Sequence, residues 1–228
     1  MKKIIAFTLL AAVALSATFA KSNKSNGFEI AVGGAYGFTS NLTEKDDVKR
    51  TLQTNNIGFK ADLTYTIQDN IGIQLDSAFL FPVGKAKVEL KNDTTTVSND
   101  QDVDSGFLMN LLLGPTFAFD IGDNMNLKIG LGFDILFDSF TLVQEATLVT
   151  PKITRTASMW NFGVAATADF NIMFADNMGI KFGLTSGIAG GKELKQKTEY
   201  SNVTKEETAD YENSTFFIIP DVSFVIKF

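Results

Sequence analysis

From Met125 onward the chain alternates. Met125, Leu127, Ile129, Leu131, Phe133, Ile135 and Phe137 are apolar, and Asn126, Lys128, Gly130, Gly132, Asp134, Leu136 and Asp138 fall between them. A period of two is the spacing at which successive side chains of a strand face opposite ways, so the stretch predicts a β-strand with one bulky apolar face. Ile57, Phe59, Ala61, Leu63, Tyr65 and Ile67 repeat the pattern, as do Met178, Ile180, Phe182, Leu184 and Ile188. Eight such segments can be marked, at about 27–38, 55–67, 71–83, 105–121, 125–138, 157–173, 178–190 and 214–228. Each supplies the roughly nine to eleven residues that a tilted strand needs to cross a bilayer.

The connections alternate as well. Gln68-Asp69-Asn70, Gly122-Asp123-Asn124 and Ala175-Asp176-Asn177 recur about every 54 residues, each between two strand-like runs. Asp-Asn is a tight-turn pair, because both side chains cap local backbone groups and Asn tolerates the left-handed conformation. Between these turns lie long polar segments, at 39–54, 84–104, 141–156 and 191–213, which read as loops. In a meander, short and long connections in alternation gather at opposite ends of the sheet. Outer-membrane barrels have that asymmetry, with short periplasmic turns and longer outer loops.

A soluble eight-stranded barrel of the lipocalin kind would alternate too, with its apolar face inward. Its outer face would then carry many long charged side chains. Here the face opposite the bulky one is mostly Gly, Ala, Thr and Asn with a few charges, which suits the crowded interior of a narrow barrel. Aromatic residues mark two girdles, where part-polar rings prefer to sit. Phe28, Tyr65, Phe117, Phe119, Phe170, Phe174 and Phe228 fall near the tight-turn end; Phe38, Phe59, Phe81, Phe137, Trp160 and Phe216 fall near the other. The expected fold is an all-β, eight-stranded antiparallel up-and-down transmembrane β-barrel over 27–228.

Before it, Lys2 and Lys3 precede an apolar or small run over 4–19, and Thr18 and Ala20 supply small residues ahead of Lys21-Ser22-Asn23-Lys24. That is the layout of a secretory signal peptide, residues 1–20, cut after Ala20. Residues 21–26 then form a short periplasmic lead-in. No later apolar run approaches helical spanning length, so insertion must use strands.

The chain ends Val222-Ser223-Phe224-Val225-Ile226-Lys227-Phe228. Alternate apolar residues closing on a terminal Phe resemble the signal by which the outer-membrane assembly machinery recognises its substrates, carried by Phe224, Ile226 and Phe228. The mature chain resembles, in pattern, the small eight-stranded family typified by OmpX and the OmpA transmembrane domain. The resemblance implies architecture, an outer-membrane location with loops facing outside, and two partners: outer-membrane lipid and the barrel-assembly machinery. It implies no single role. The chain is expected to stop at the barrel, without the peptidoglycan-binding domain that OmpA carries.

Composition removes whole classes of chemistry. With neither Cys nor His among 228 residues, thiolate, disulfide and imidazole chemistry are absent. A net charge of −6 without basic clusters leaves no footprint for nucleic acid. No Gly-x-Ser-x-Gly stretch appears, and a Ser nucleophile would lack its usual base, so no catalytic residue, cofactor or metal site is assigned.

Charges on the small-residue face are the candidate site. Glu29, Asp62, Asp76, Asp134, Asp169 and Asp221 should point inward with Lys60, Lys128, Lys181 and Lys227. Singly buried charges are prohibitively costly, so these should pair. They read as a structural network that plugs the lumen and fixes register; the alternative is a narrow gated ion path along it. Asp100, Asp102 and Asp104 are spaced like the start of a calcium loop, but Gly106 is one position late and Leu111 stands where a closing carboxylate is needed, which favours a solvated acidic loop. The segment 192–212 is charge-rich and reads as solvated. Long loops on a rigid scaffold are nevertheless where recognition tends to reside, so an extracellular or host ligand remains a candidate partner. Triplets such as Asn41-Leu42-Thr43 and Asn213-Ser214-Thr215 are taken as chance.

Overall fold

A computed structural model describes residues 27–45, 48–68, 70–92, 95–144, 152–200 and 203–228. The signal peptide expected at 1–20, with its cut after Ala20, and the lead-in 21–26 lie outside the described residues. Eight strands follow in order: β1 (Phe28–Lys45), β2 (Val48–Gln68), β3 (Ile71–Lys91), β4 (Thr96–Gly122), β5 (Met125–Gln144), β6 (Ile153–Ala175), β7 (Met178–Tyr200) and β8 (Val203–Lys227). Each pairs antiparallel with its neighbour in sequence, and β8 pairs with β1 to close the barrel. Closure leaves no strand edge, so the ladder satisfies the backbone without water.

The register fixes the stagger. Ala31 pairs with Asp62, Asp62 with Asp76, Asp76 with Leu112 and Leu112 with Asp134. Asp134 then pairs with Gly163, Gly163 with Ala189, Ala189 with Thr215 and Thr215 with Asn41. One circuit therefore returns to β1 ten residues above Ala31. That shear tilts the strands and sets a bore only as wide as the side chains that fill it.

The sequence repeat has a structural counterpart. Asp123-Asn124 and Asp176-Asn177 form two-residue turns, while Asp69 lies outside the described residues. The carbonyls of Asn70, Asn124 and Asn177 each accept a hydrogen bond from the next hairpin: from Ala118 N at 2.8 Å, Met173 N at 2.8 Å and Lys227 N at 2.9 Å. Each tight turn is thereby tied to the strand beside it.

At the opposite end the strands run further than expected. The segments 39–54, 84–104, 141–156 and 191–213 read as loops in sequence, yet most of the described residues of each are paired strand, from Thr39↔Thr54 up to Lys45↔Val48 in the first hairpin. Polarity is a poor guide to loop here, because Thr and Val favour strands and the inward positions still bury apolar groups. Thr39 and Thr54 share a 2.6 Å hydroxyl contact, Thr141 and Thr156 one of 3.0 Å. Inside these extensions Leu52, Ala86, Val88, Phe140, Leu142, Ala157 and Met159 form a second core, with Val103 against it. Register irregularities at Gln53/Asn55, Leu80/Lys85, Val103/Ser105, Met159/Phe162 and Gly191/Glu193 mark where the extensions begin. At the second of these Gly84 takes a φ of +75°, which a side chain would disfavour. Asp100, Asp102 and Asp104 lie in β4 on an exposed stretch of paired strand, not in a calcium-type loop.

The outer face answers the lipocalin alternative. Leu131, Ile188, Phe133, Leu113, Val164, Val222 and Ile57 are each more than half exposed, while Lys60, Lys181 and Asp134 are almost wholly buried inside. An apolar belt of this extent far exceeds what a soluble monomer exposes, and at roughly 25 cal/mol per Å² it would be untenable in water. Rings line its upper margin: Phe79, Phe107, Phe137 and Trp160 follow one another across β3 to β6 with centroids 6.0, 6.3 and 4.7 Å apart. Phe174 and Phe224 meet at 6.1 Å near the lower margin.

Candidate functional site

The lumen is layered. Nearest the tight turns, Lys128 Nζ lies 2.5 Å from Glu29 Oε1, and Lys227 reaches the other oxygen of Glu29 at 3.8 Å. Asn171 donates to Asn126 at 2.9 Å beside them. β1 and β5 are four strands apart in a ring of eight, so the Glu29–Lys128 pair crosses the full bore.

Above this sits the main charge cluster. Lys60 Nζ donates to Asp221 Oδ1 at 3.1 Å and to Thr185 Oγ1 at 2.9 Å, and lies 3.6 Å from both Asp62 and Asp76. Lys181 is paired with Asp62, and lies 3.3 Å from Asp221 and 3.7 Å from Asp169. Ser223 donates to Asp221 at 2.7 Å. Two lysines from β2 and β7 thus hold four aspartates from β2, β3, β6 and β8. Gly183 makes this possible, because a Cβ there would stand 2.1 Å from Asp221 Oδ1 and 2.8 Å from Asp169 Oδ1. Gly130 plays the same part for Gln74, whose side chain lies across it to donate to Thr167 at 2.8 Å.

An apolar layer comes next. Ala35, Ala78, Leu80, Leu108, Leu112, Leu136, Ala165, Ala189, Phe217 and Ile219 meet inside the barrel, the leucines and Phe217 at 1 % exposure or less. Asn110 donates to Asp134 at 2.5 Å in the wall at this level. Beyond it, Asn161 donates to Thr215 at 3.0 Å, Thr215 to Asn41 at 2.5 Å, and Asn41 to Asp138 at 2.6 Å. This second tie also crosses from β1 to β5. The second apolar core lies above it.

Of the ten residues assigned to a lumen network, Glu29, Lys60, Asp62, Asp76, Lys128, Asp169, Lys181 and Asp221 are buried and brought together, with Lys227 at the rim. Asp134 is buried but apart, paired with an amide instead of a lysine. Sequence reasoning missed Asn41, in a segment read as a loop, and Asp138, Asn161 and Thr215, whose signal was their inward parity within segments marked as strands. It also missed the apolar layer: Leu80, Leu108, Leu112, Leu136 and Phe217 are as bulky as their lipid-facing neighbours, so alternation is silent there. Phe224 of the terminal pattern faces outward, and Phe228 exchanges backbone hydrogen bonds with Phe28 at 2.8 and 3.3 Å, clasping β8 to β1.

No protein-family model and no curated protein matches the chain. Solved structures do. The outer membrane protein OprG from Pseudomonas aeruginosa is 13 % identical, with 91 % of this chain and 98 % of that one covered and a TM-score of 0.54. Ail, the attachment invasion locus protein of Yersinia pestis, is 13 % identical over 89 % of this chain and 99 % of that one, with a TM-score of 0.39. The outer membrane protease OmpT from Escherichia coli is 9 % identical over 92 % and 100 %, at 0.44. Identities this low speak only to fold, and of these three it is the match to OprG that carries the argument. The chain has the fold of the small outer-membrane β-barrels.

Proposed function

We propose that the chain is exported by its first 20 residues, assembled through the pattern Phe224, Ile226 and Phe228, and held in the outer membrane as a closed scaffold. Its role in this reading is structural or surface-interacting, through four strand hairpins that project beyond the lipid belt. One observation carries it: the belt of bulky apolar side chains surrounds a lumen that is itself filled, by paired charges and then by the Leu80, Leu108, Leu112, Leu136 and Phe217 layer. A filled lumen supports anchoring and display over transport. The ion-path alternative needs a continuous polar route, and the apolar layer interrupts one between the charge cluster and the Asn41–Asp138 tie.

The test has three readouts on one preparation. Heated and unheated outer-membrane fractions should migrate differently, proteolysis of intact cells should cut only within the hairpins, and purified protein in a planar bilayer should give no discrete conductance. A soluble periplasmic product would overturn the membrane reading. Stepwise conductance would overturn the closed scaffold and restore the ion path.

A further inference from the structure

Asp138 is a buried carboxylate that no lysine or arginine meets among the described residues; its side-chain partner there is Asn41, at 2.6 Å. Each aspartate of the lower cluster, by contrast, has a lysine within reach. An ionised carboxylate only accepts hydrogen bonds, so Asn41 turns its amide nitrogen to Asp138 and its oxygen to Thr215. Thr215 then donates to Asn41 and accepts from the amide nitrogen of Asn161. The tie therefore has a direction. It ends on Asn161 Oδ1, a wholly buried oxygen with no hydrogen-bond partner. Asn213, the next inward residue of β8 before Thr215, is 7 % exposed, and neither its oxygen nor its nitrogen is bonded.

Both of these oxygens face one space. The β6–β7 ladder skips Trp160 and Asn161 on one strand and residues 191–193 on the other, and Gly191 stands at that slip without a side chain. A Cβ on Gly191 would lie 2.8 Å from Asn161 Oδ1, 3.3 Å from Asn213 Oδ1 and closer still to the Trp160 carbonyl. Three carbonyl oxygens thus surround the place that the missing side chain leaves. Every dipole of the tie presents its positive end to Asp138 and its negative end away, so the carboxylate's field is handed on to Asn161 Oδ1. A water molecule there would satisfy two oxygens and leave the buried charge uncompensated, whereas buried charges are ordinarily paired or metal-bound. One negative charge calls for one positive charge. Calcium sites draw on several carboxylates, and a chain without His or Cys offers nothing to softer metals. We propose that the space beside Gly191 binds a single alkali cation through Asn161 Oδ1, Asn213 Oδ1 and the Trp160 carbonyl, with Asp138 supplying the compensating charge through Asn41 and Thr215. The ion is a resident of the lumen and opens no path, since the Leu136 layer lies below this level and the Phe140 and Met159 core above it. The inference rests on the filled lumen described above and not on export or display.

The probes are sodium, potassium and choline chloride at one ionic strength, compared in urea unfolding of the protein from lipid vesicles. Sodium or potassium at ten times its dissociation constant should lower the unfolding equilibrium constant about tenfold against choline. D138N keeps the shape and removes the charge, and should bring that ratio near one; G191A should do the same by filling the space. N213D adds a carboxylate at the site and should enlarge the ratio. E44Q, which removes an exposed carboxylate on β1, should leave it intact. Crystals soaked in rubidium chloride should show an anomalous peak against Asn161 Oδ1. Heat-modifiable migration and bilayer recording of each variant report the closed barrel separately, so a folded, non-conducting protein that unfolds alike in all three salts overturns this inference and not the scaffold reading. Full cation dependence in D138N would overturn it as well, as would equal loss in D138N and E44Q, which would reduce the effect to surface charge. So would a rubidium-soaked crystal with only water at the site.

Discussion

Lys49 and Lys60 lie on the same strand, on opposite faces, and both meet carboxylates. Lys49 is 3.0 Å from Glu44 with both side chains nearly half exposed, whereas Lys60 stands among three aspartates at 1 % exposure. Distance is not what separates them. In water the Lys49 pair gains little, because solvent screens the attraction and two flexible side chains must be held still. Inside the barrel burial takes the ions away from bulk solvent, so Lys60 is indispensable to its partners while the cluster as a whole need not be stabilising. The lesson is that one-sided loss, not pairing as such, is where the energy lies.

That contrast is broken most severely by K60M. Removing the lysine strands Asp221, Asp76 and Asp62 without half of their positive charge, and should cost about 3–5 kcal/mol, read by urea unfolding from lipid vesicles. The single tryptophan, Trp160, sits in the girdle and reports the transition. K60M/D76L should recover part of the loss. If K60M were neutral, the cluster would be wetter than its burial implies. G183V should act through the same aspartates, since its side chain would occupy the space that Asp221 and Asp169 use.

Next in size is the apolar layer. L136A leaves a cavity among Leu108, Leu112 and Phe217 and should cost about 2–5 kcal/mol, the spread depending on how far its neighbours collapse. The triple variant L80A/L112A/L136A adds a sharper readout. If this layer seals the lumen, the variant should show conductance steps that the unaltered protein lacks; silence in both would place the seal elsewhere.

How much of this could be read from sequence follows from what each part depends on. The eight strands were legible, because lipid on one side and a crowded lumen on the other impose strict alternation on Met125 to Phe137 and its equivalents. So were the charges, since Lys60, Lys181 and the aspartates stand out on a face of small residues. The extent of the strands was not: Thr39, Thr54, Thr141 and Thr156 are polar whether they lie in a loop or on a wet strand face. The inward leucines were illegible for a different reason, as bulky apolar residues satisfy either side of a membrane barrel once the bore must be filled. Nor could spacing reveal that Asn41 meets Asp138, because contacts across the bore depend on shear and not on sequence distance.

The Asn41–Asp138 tie tests the middle ground between Lys49 and Lys60. N41A removes a buried donor to Asp138 and the acceptor of Thr215, and should cost about 1–3 kcal/mol by the same urea titration, below K60M and above any exposed pair. K49A should fall at or under about 1 kcal/mol, and a larger loss would show that the first hairpin is stiffer than its exposure suggests.

The smallest effect concerns charge alone. Lys197 lies at the surface, and Glu199 raises its titration by hydrogen bond and by field. A lysine whose folded pKa is raised adds stability below its ordinary value and loses it as pH climbs through the raised one, so any contribution of this pair should fade only in strong alkali. E199Q should move the ¹⁵Nζ titration of Lys197 back toward the ordinary lysine range while the urea midpoint at neutral pH stays in place. If instead the midpoint moved as it does for N41A, the outer hairpin of β7 and β8 would share the low-dielectric logic of the lumen, and the boundary drawn between Lys49 and Lys60 would have to run outside Lys197.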